Sequence, residues 1–113
     1  MHAFLLAAAV LFSTEAKVWY GALLEDSGHG RLSFEQAAFL IQEKNGALTL
    51  APWESRGHHH ASYRGTIPQG TIAIVHTHPA NQPQPSAHDR NEASRLGIAV
   101  VVVTPSGVRV AMP

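Results

Sequence analysis

The sequence predicts a single small α+β domain, α/β-like in character, in which helices flank a mixed β-sheet. Two β-branched runs, TIAIV at residues 71–75 and IAVVVV at residues 98–103, are apolar on both faces, which is typical of strands in the middle of a covered sheet. Upstream, Asn45-Gly46 is the strongest two-residue signal for a β-hairpin. A length of 113 residues leaves little room for a second folding unit.

The segment between the two apolar runs predicts a helix over residues 87–96. Ser86 can cap its first turn, and Gly97 can adopt the left-handed conformation that ends a helix. After the second run, residues 105–107 predict a turn and residues 108–112 predict the last strand. The order strand, loop, helix, strand is therefore expected for this half of the chain.

The hairpin around Asn45-Gly46 has residues 34–44 and 47–50 as its arms. The first arm fits two interpretations, because Ser33 and Gln36 could form a capping box and apolar residues recur at helical spacing. The local pattern alone leans slightly to a helix. Residues 52–70 are rich in Gly, Pro and polar side chains and predict a long surface loop with at most one short strand.

The amino-terminal residues 3–12 form an uninterrupted apolar run that is too short to span a bilayer stably. The run fits the hydrophobic region of a signal peptide over residues 1–16, although no Lys or Arg precedes it. It fits equally well an Ala- and Leu-rich helix packed on the domain. Cleavage would start the mature domain, residues 17–113, near Lys17 and imply a periplasmic or secreted protein. Without cleavage we expect a cytoplasmic one.

The composition limits the chemistry that a functional site can use. The chain has no cysteine, which excludes disulfides, thiolate ligands and a Cys nucleophile, but it has eight histidines. Any metal must therefore be held by imidazole and carboxylate groups. Charged residues make up only 14% of the chain and the net charge is zero, so no basic surface for nucleic acid is expected.

Two histidines lie at the end of the first predicted central strand. His76 and His78 are separated by one residue, so in a strand their side chains share a face and can meet on one ion. Pro79 then ends the strand, and Ser86 and Asp89 follow at the start of the predicted helix. Ser86 and Asp89 also form a Ser-x-x-Asp capping pair, and a His-x-His pair by itself is more often structural than metal-binding. Capping and chemistry are compatible, because a capped helix start holds both side chains rigidly.

The whole pattern from His76 to Asp89, His-Thr-His-Pro followed by Ser86 and Asp89, resembles the motif of the JAMM (MPN-plus, JAB1/MPN/Mov34) zinc metalloproteases, here in a short bacterial-type member. The resemblance implies a cytidine-deaminase-like MPN/JAB core and one Zn²⁺ per chain. It also implies that His76, His78 and Asp89 bind the zinc and that Ser86 stabilises the oxyanion. The expected reaction is hydrolysis of peptide or isopeptide bonds in a peptide or protein-conjugate substrate.

The resemblance also requires a glutamate from an earlier strand as general base. Glu35 is the preferred candidate, because it precedes a stretch of small and apolar residues that leads into the hairpin. This choice overrules the local helical pattern around it. Glu25 is the second candidate, while Glu43 and Glu54 are expected in a hairpin end and an exposed loop.

The other histidines have simpler explanations. Residues 58–60 form a His triplet that predicts an exposed polar tract, with a secondary ion as the alternative. His88 is expected to face away from the metal, and His2 and His29 have no evident partner. The competing functional hypothesis is a catalytically inactive MPN-like module that binds a partner or senses metal.

Overall fold

A five-stranded mixed sheet forms the centre of the protein, as a computed structural model of the chain shows. The structure describes residues 9–26, 36–53, 66–79 and 81–113. The strands are, in chain order, β1 (Ala37–Gln42), β2 (Leu48–Trp53), β3 (Thr71–Thr77), β4 (Ala99–Thr104) and β5 (Gly107–Ala111). Their order across the sheet is β2-β1-β3-β4-β5, and only the β3–β4 pair is parallel within this sheet. The predicted α+β domain with a mixed sheet is confirmed.

Two helices cover the two faces of this sheet. Helix α1 (Thr14–Asp26) packs on one face, where its buried side chains meet Leu40, Val75 and Val101. Helix α2 (Ala87–Leu96) connects β3 to β4 and packs on the other face, where Ala93 meets Ile74 and Val100. The alternation of side chains along β3 therefore separates the α1 face from the α2 face.

Helix α2 has the bounds that its sequence predicts. Ser86 is the N-cap, and Gly97 adopts the left-handed conformation at φ 70° while its N–H donates to the Ala93 carbonyl at 2.9 Å. A residue with a Cβ would be strained at that φ, which explains the glycine.

The hairpin around Asn45-Gly46 is confirmed, and the helical interpretation of its first arm is wrong for the described residues of that arm. Residues 37–42 form β1, which pairs antiparallel with β2 on one side and with β3 on the other. Because the strand is inserted between two others, Ala37, Ala38, Phe39 and Leu40 are all buried, and sheet formation overrides local helix propensity. Strand β2 continues through Pro52 to Trp53, beyond the predicted end at residue 50. It is an edge strand, where a residue without an N–H is tolerated.

The end of the amino-terminal apolar run belongs to the core. Residues 9–11 are helical, and Leu11 is 1% exposed within the cluster beneath α1. The Tyr20 hydroxyl donates to the Leu11 carbonyl at 2.8 Å, and burial raises the pKa of this phenol far above its usual value. Trp19 donates to the Leu48 carbonyl at 3.1 Å, which ties α1 to edge strand β2. Within the described ranges, no helix has the length and apolar character needed to cross a membrane.

Candidate metal centre

His76 and His78 lie at the carboxyl end of β3, next to its parallel neighbour β4. His76 is the penultimate residue of the strand and shares the α2 face with Ile74. His78 follows the strand, and its N–H donates to the Val103 carbonyl at 3.1 Å, so the backbone of this position is still held against β4. Both imidazoles are buried, at 1% and 4% exposure. The strand end thus presents two neighbouring imidazole groups to the start of α2.

Asp89 meets both histidines from the first turn of α2. Its Oδ1 lies 3.0 Å from His76 Nδ1, and its Oδ2 lies 3.1 Å from His78 Nε2. The carboxylate is 1% exposed. Among the described residues, these three side chains form a cluster whose ligand atoms all lie within 4.8 Å of one another. The structure therefore brings together the three metal ligands that the sequence predicts.

The position of Asp89 is set by the cap of α2. The Ser86 Oγ accepts a hydrogen bond from the Asp89 N–H at 3.1 Å, and the Asp89 Oδ2 accepts one from the Ser86 N–H at 2.9 Å. This reciprocal pair is the capping box. The capping interpretation of Ser86 is confirmed. As an acceptor, the hydroxyl uses a lone pair and keeps its proton for donation.

The surroundings of Asp89 keep its carboxyl group ionised. Burial by itself raises the pKa of Asp89, but the hydrogen bonds with His76, His78 and the Ser86 N–H, together with the charge of His76, hold the pKa well below its usual range. An ionised buried carboxylate is the form that binds a cation.

The ring of His78 is oriented by the loop that follows β3. Its Nδ1 lies 3.0 Å from the Gln82 carbonyl oxygen, which can only accept, so Nδ1 carries a proton. The Gln82 N–H donates to the Pro79 carbonyl at 2.9 Å and closes the turn that places this carbonyl. Such a backbone partner is what fixes the tautomer of a metal-binding histidine and directs Nε2 toward the ion.

The contact between His78 Nε2 and Asp89 Oδ2 provides a test of whether a metal fits. With Nδ1 protonated, a neutral His78 has only a lone pair on Nε2, and an ionised Asp89 also presents lone pairs. Two such atoms 3.1 Å apart repel each other unless positive charge lies between them, either as a proton on Nε2, which makes the contact the hydrogen bond described above, or as a bound cation. Two imidazoles and one carboxylate are also a common donor set for catalytic zinc, so the chemistry of these residues fits a divalent metal.

The glutamates considered as the general base occupy different places. Glu35 and Glu54 lie outside the described residues, as do His2, His29 and the triplet at residues 58–60. Glu25 is exposed on α1, which covers the face opposite the histidines. Glu43 is exposed in the hairpin turn, where its carboxylate accepts a hydrogen bond from Thr49.

Two features of the site were not anticipated from sequence. Glu92 is buried on α2 and accepts a hydrogen bond from Arg95 Nε at 3.1 Å. His88 Nε2 lies 3.7 Å from the Glu92 carboxylate and points along the helix rather than at Asp89, in agreement with the expectation that it faces away from the metal ligands. The spacing of one helical turn between these residues could have indicated this group. In addition, Thr77 is hydrogen-bonded to Gln36, the residue just before β1, a contact for which the sequence contains no local signal.

Comparison with known proteins agrees with this geometry. A search of curated proteins found no match to the chain. The family model for prokaryotic homologues of the JAB domain matches residues 30–112, which covers well over half of the sequence and includes His76, His78 and Asp89. The chain therefore belongs to the family of prokaryotic JAB-domain homologues.

Proposed function

We propose that this protein is a zinc-dependent hydrolase that cleaves peptide or isopeptide bonds. The observation that carries the proposal is the buried cluster of His76, His78 and Asp89 at one end of the sheet, in which both imidazoles contact the Asp89 carboxylate. When bound there, zinc would lower the pKa of a coordinated water to about 7 and polarise a carbonyl group. Membership in the JAB family supports a hydrolytic use of such a site.

The general base in this proposal is Glu35. Strands β1 and β3 pair Ala37 with His76, and the Thr77 N–H donates to the Gln36 carbonyl at 2.9 Å. One further pair in this antiparallel register would set position 35 opposite His78. The support for Glu35 is thus that the described chain just after it, from Gln36 to Ala37, runs antiparallel beside the strand end that carries the two histidines. Glu25 lacks this support, because it is exposed on the helix of the opposite face.

The protein side chains then have separate tasks in the reaction. Glu35 takes a proton from water as the water oxygen bonds to the scissile carbonyl carbon, and it returns that proton to the leaving amine as the C–N bond breaks. General acid-base catalysis of this kind contributes roughly 10² to 10⁴ in rate. Ser86, whose hydroxyl keeps a proton to donate, stabilises the oxyanion and contributes on the order of 3 kcal/mol.

The substrate in this proposal is a peptide or a protein conjugate. The test is a cleavage screen of the zinc-loaded full chain with internally quenched peptides and with a peptide joined to a lysine side chain through an isopeptide bond. Glu35→Gln should retain zinc and lose at least 10² in turnover of any cleaved probe. Glu43→Gln is the matched control, since it makes the same change in an exposed carboxylate.

Three outcomes decide between the alternatives. Cleavage by the wild type that is lost in Glu35→Gln and kept in Glu43→Gln supports the proposal. Loss of zinc in Glu35→Gln contradicts the role assigned to this residue. Zinc binding without cleavage of any probe would favour the inactive, metal-sensing module instead.

A further inference from the structure

The start of β1 is held by a side chain of β3. The last backbone pair between these strands is Ala37 with His76. At the next position the Gln36 N–H donates to the Thr77 Oγ1 at 2.9 Å, while the Thr77 N–H donates to the Gln36 carbonyl at 2.9 Å. A third, longer contact of 3.5 Å joins the Thr77 hydroxyl to the same carbonyl. Gln36 is therefore fixed against Thr77 from both its N–H and its C=O.

Thr77 occupies a special place between the two strands. It is 1% exposed and stands between His76 and His78, the two imidazoles of the candidate metal centre. Its Oγ1 accepts a hydrogen bond from the Gln36 N–H, which belongs to the peptide bond joining Glu35 to Gln36. One buried hydroxyl thus connects the strand that bears the metal ligands to the peptide unit that bears the proposed base.

We infer that Thr77 is a positioning residue, which fixes the Gln36 amide against β3 and acts through it on the adjoining residue Glu35, the proposed base. This inference rests on the proposed function. Small displacements of a catalytic group lower the rate strongly. Loss of the hydrogen bond between Thr77 and Gln36 would therefore reduce turnover without removing a metal ligand. A purely structural threonine would instead affect the folded state as a whole.

Thr77→Val tests the inference, because valine keeps the volume and β-branching but cannot accept a hydrogen bond. Thr77→Ser keeps the hydroxyl and is the conservative variant. Thr104→Val is the matched control: Thr104 is also buried, and its Oγ1 also accepts a backbone N–H, that of Ser106 at 3.2 Å, but at the turn between β4 and β5. Each variant is studied as the full chain loaded with zinc.

Three measurements are made on every variant. Amide hydrogen exchange at Gln36, followed by NMR, reports the anchoring bond itself, and exchange at Phe39 reports the rest of β1. Competition with a chromogenic chelator gives the zinc affinity. Steady-state kinetics on the peptide probe that the wild type cleaves fastest separate kcat from KM.

The inference predicts a specific combination of results. In Thr77→Val, exchange at Gln36 rises at least tenfold with Phe39 unchanged, zinc affinity stays within about threefold, and kcat falls at least tenfold with KM within about twofold. Thr77→Ser restores kcat, and Thr104→Val retains it. The double variant Glu35→Gln with Thr77→Val is no slower than Glu35→Gln alone, because Thr77 acts through Glu35.

The results that overturn the inference are distinct from those that overturn the proposed function. Faster exchange at Gln36 with an unchanged kcat, a large loss of zinc affinity in Thr77→Val, or an additive loss in the double variant would each refute positioning by Thr77 while leaving the role of Glu35 in place. A wild type that cleaves no probe, or a Glu35→Gln variant with full activity, would refute the proposed function and this inference with it.

Discussion

Ser86 and Asp89 exchange two hydrogen bonds across the first turn of α2, from the Asp89 N–H to the Ser86 Oγ at 3.1 Å and from the Ser86 N–H to the Asp89 Oδ2 at 2.9 Å. The same carboxylate lies 3.0 Å from His76 on β3. The cap of the helix and the candidate metal centre are consequently one bonded unit. A change at the cap should alter both helix stability and the geometry of the ligands.

Ser86→Ala should lower the free energy of unfolding of the metal-free protein by about 1 kcal/mol, because it removes the acceptor for an otherwise unpaired N–H of the first turn. Ser86→Thr keeps a hydroxyl and should lose clearly less. Urea denaturation in the presence of a chelator measures both. Equal losses in the two variants would show that the cap does not contribute as the structure indicates.

The stability of the metal-free protein should depend on pH through Asp89. Its pKa is lower in the folded protein than in the unfolded chain, so the unfolded chain takes up the proton more readily. The stabilising contribution is therefore complete above the unfolded value of about 3.9 and is lost as the pH falls below it. In urea titrations from pH 7 to pH 3, Asp89→Asn should show a shallower decline at the acid end than the wild type. A variant with the wild-type acid slope would contradict the assigned cause.

Leu11→Ala should destabilise the protein by about 2 to 5 kcal/mol, the usual cost of truncating a fully buried leucine. Leu11 is 1% exposed and belongs to the cluster beneath α1, whereas the adjacent Phe12 is 45% exposed. Phe12→Ala is thus the matched control and should cost much less. Thermal or urea unfolding of the full chain measures the difference. If both variants were neutral, the end of the apolar run would contribute little to the core, as a signal peptide over residues 1–16 would require.

Much of this fold could be predicted because short-range signals agree with long-range packing. Helix α2 carries a serine cap and a glycine stop, and the β-branched runs of β3 and β4 are suited to the middle of a covered sheet. Strand β1 was ambiguous because its apolar spacing also suits a helix. The segment forms a strand because it pairs with β2 on one side and β3 on the other. This pairing is a long-range effect that no local pattern encodes.

The candidate site also has a part that could be predicted from the sequence and a part that could not. His76, His78 and Asp89 could be predicted because they lie within fourteen residues and occupy a strand end and a helix start, whose geometry is known in advance. The Gln82 carbonyl that orients His78 is a backbone group. Every residue has such a group, so the residue type at position 82 does not indicate this contact. The bond between Thr77 and Gln36 spans 41 residues and depends on the strand register, which the sequence pattern leaves open.

The proposed function requires that His76, His78 and Asp89 hold a zinc ion. The most direct measurement is the metal content, by mass spectrometry, of the full chain purified without chelator, as wild type and as His76→Ala. His88→Ala is the control, since its imidazole points to Glu92 rather than to the cluster. We predict one zinc per chain in the wild type and in His88→Ala, and none in His76→Ala. A wild type that contains no metal, or a His76→Ala variant that retains a full complement of zinc, would contradict it.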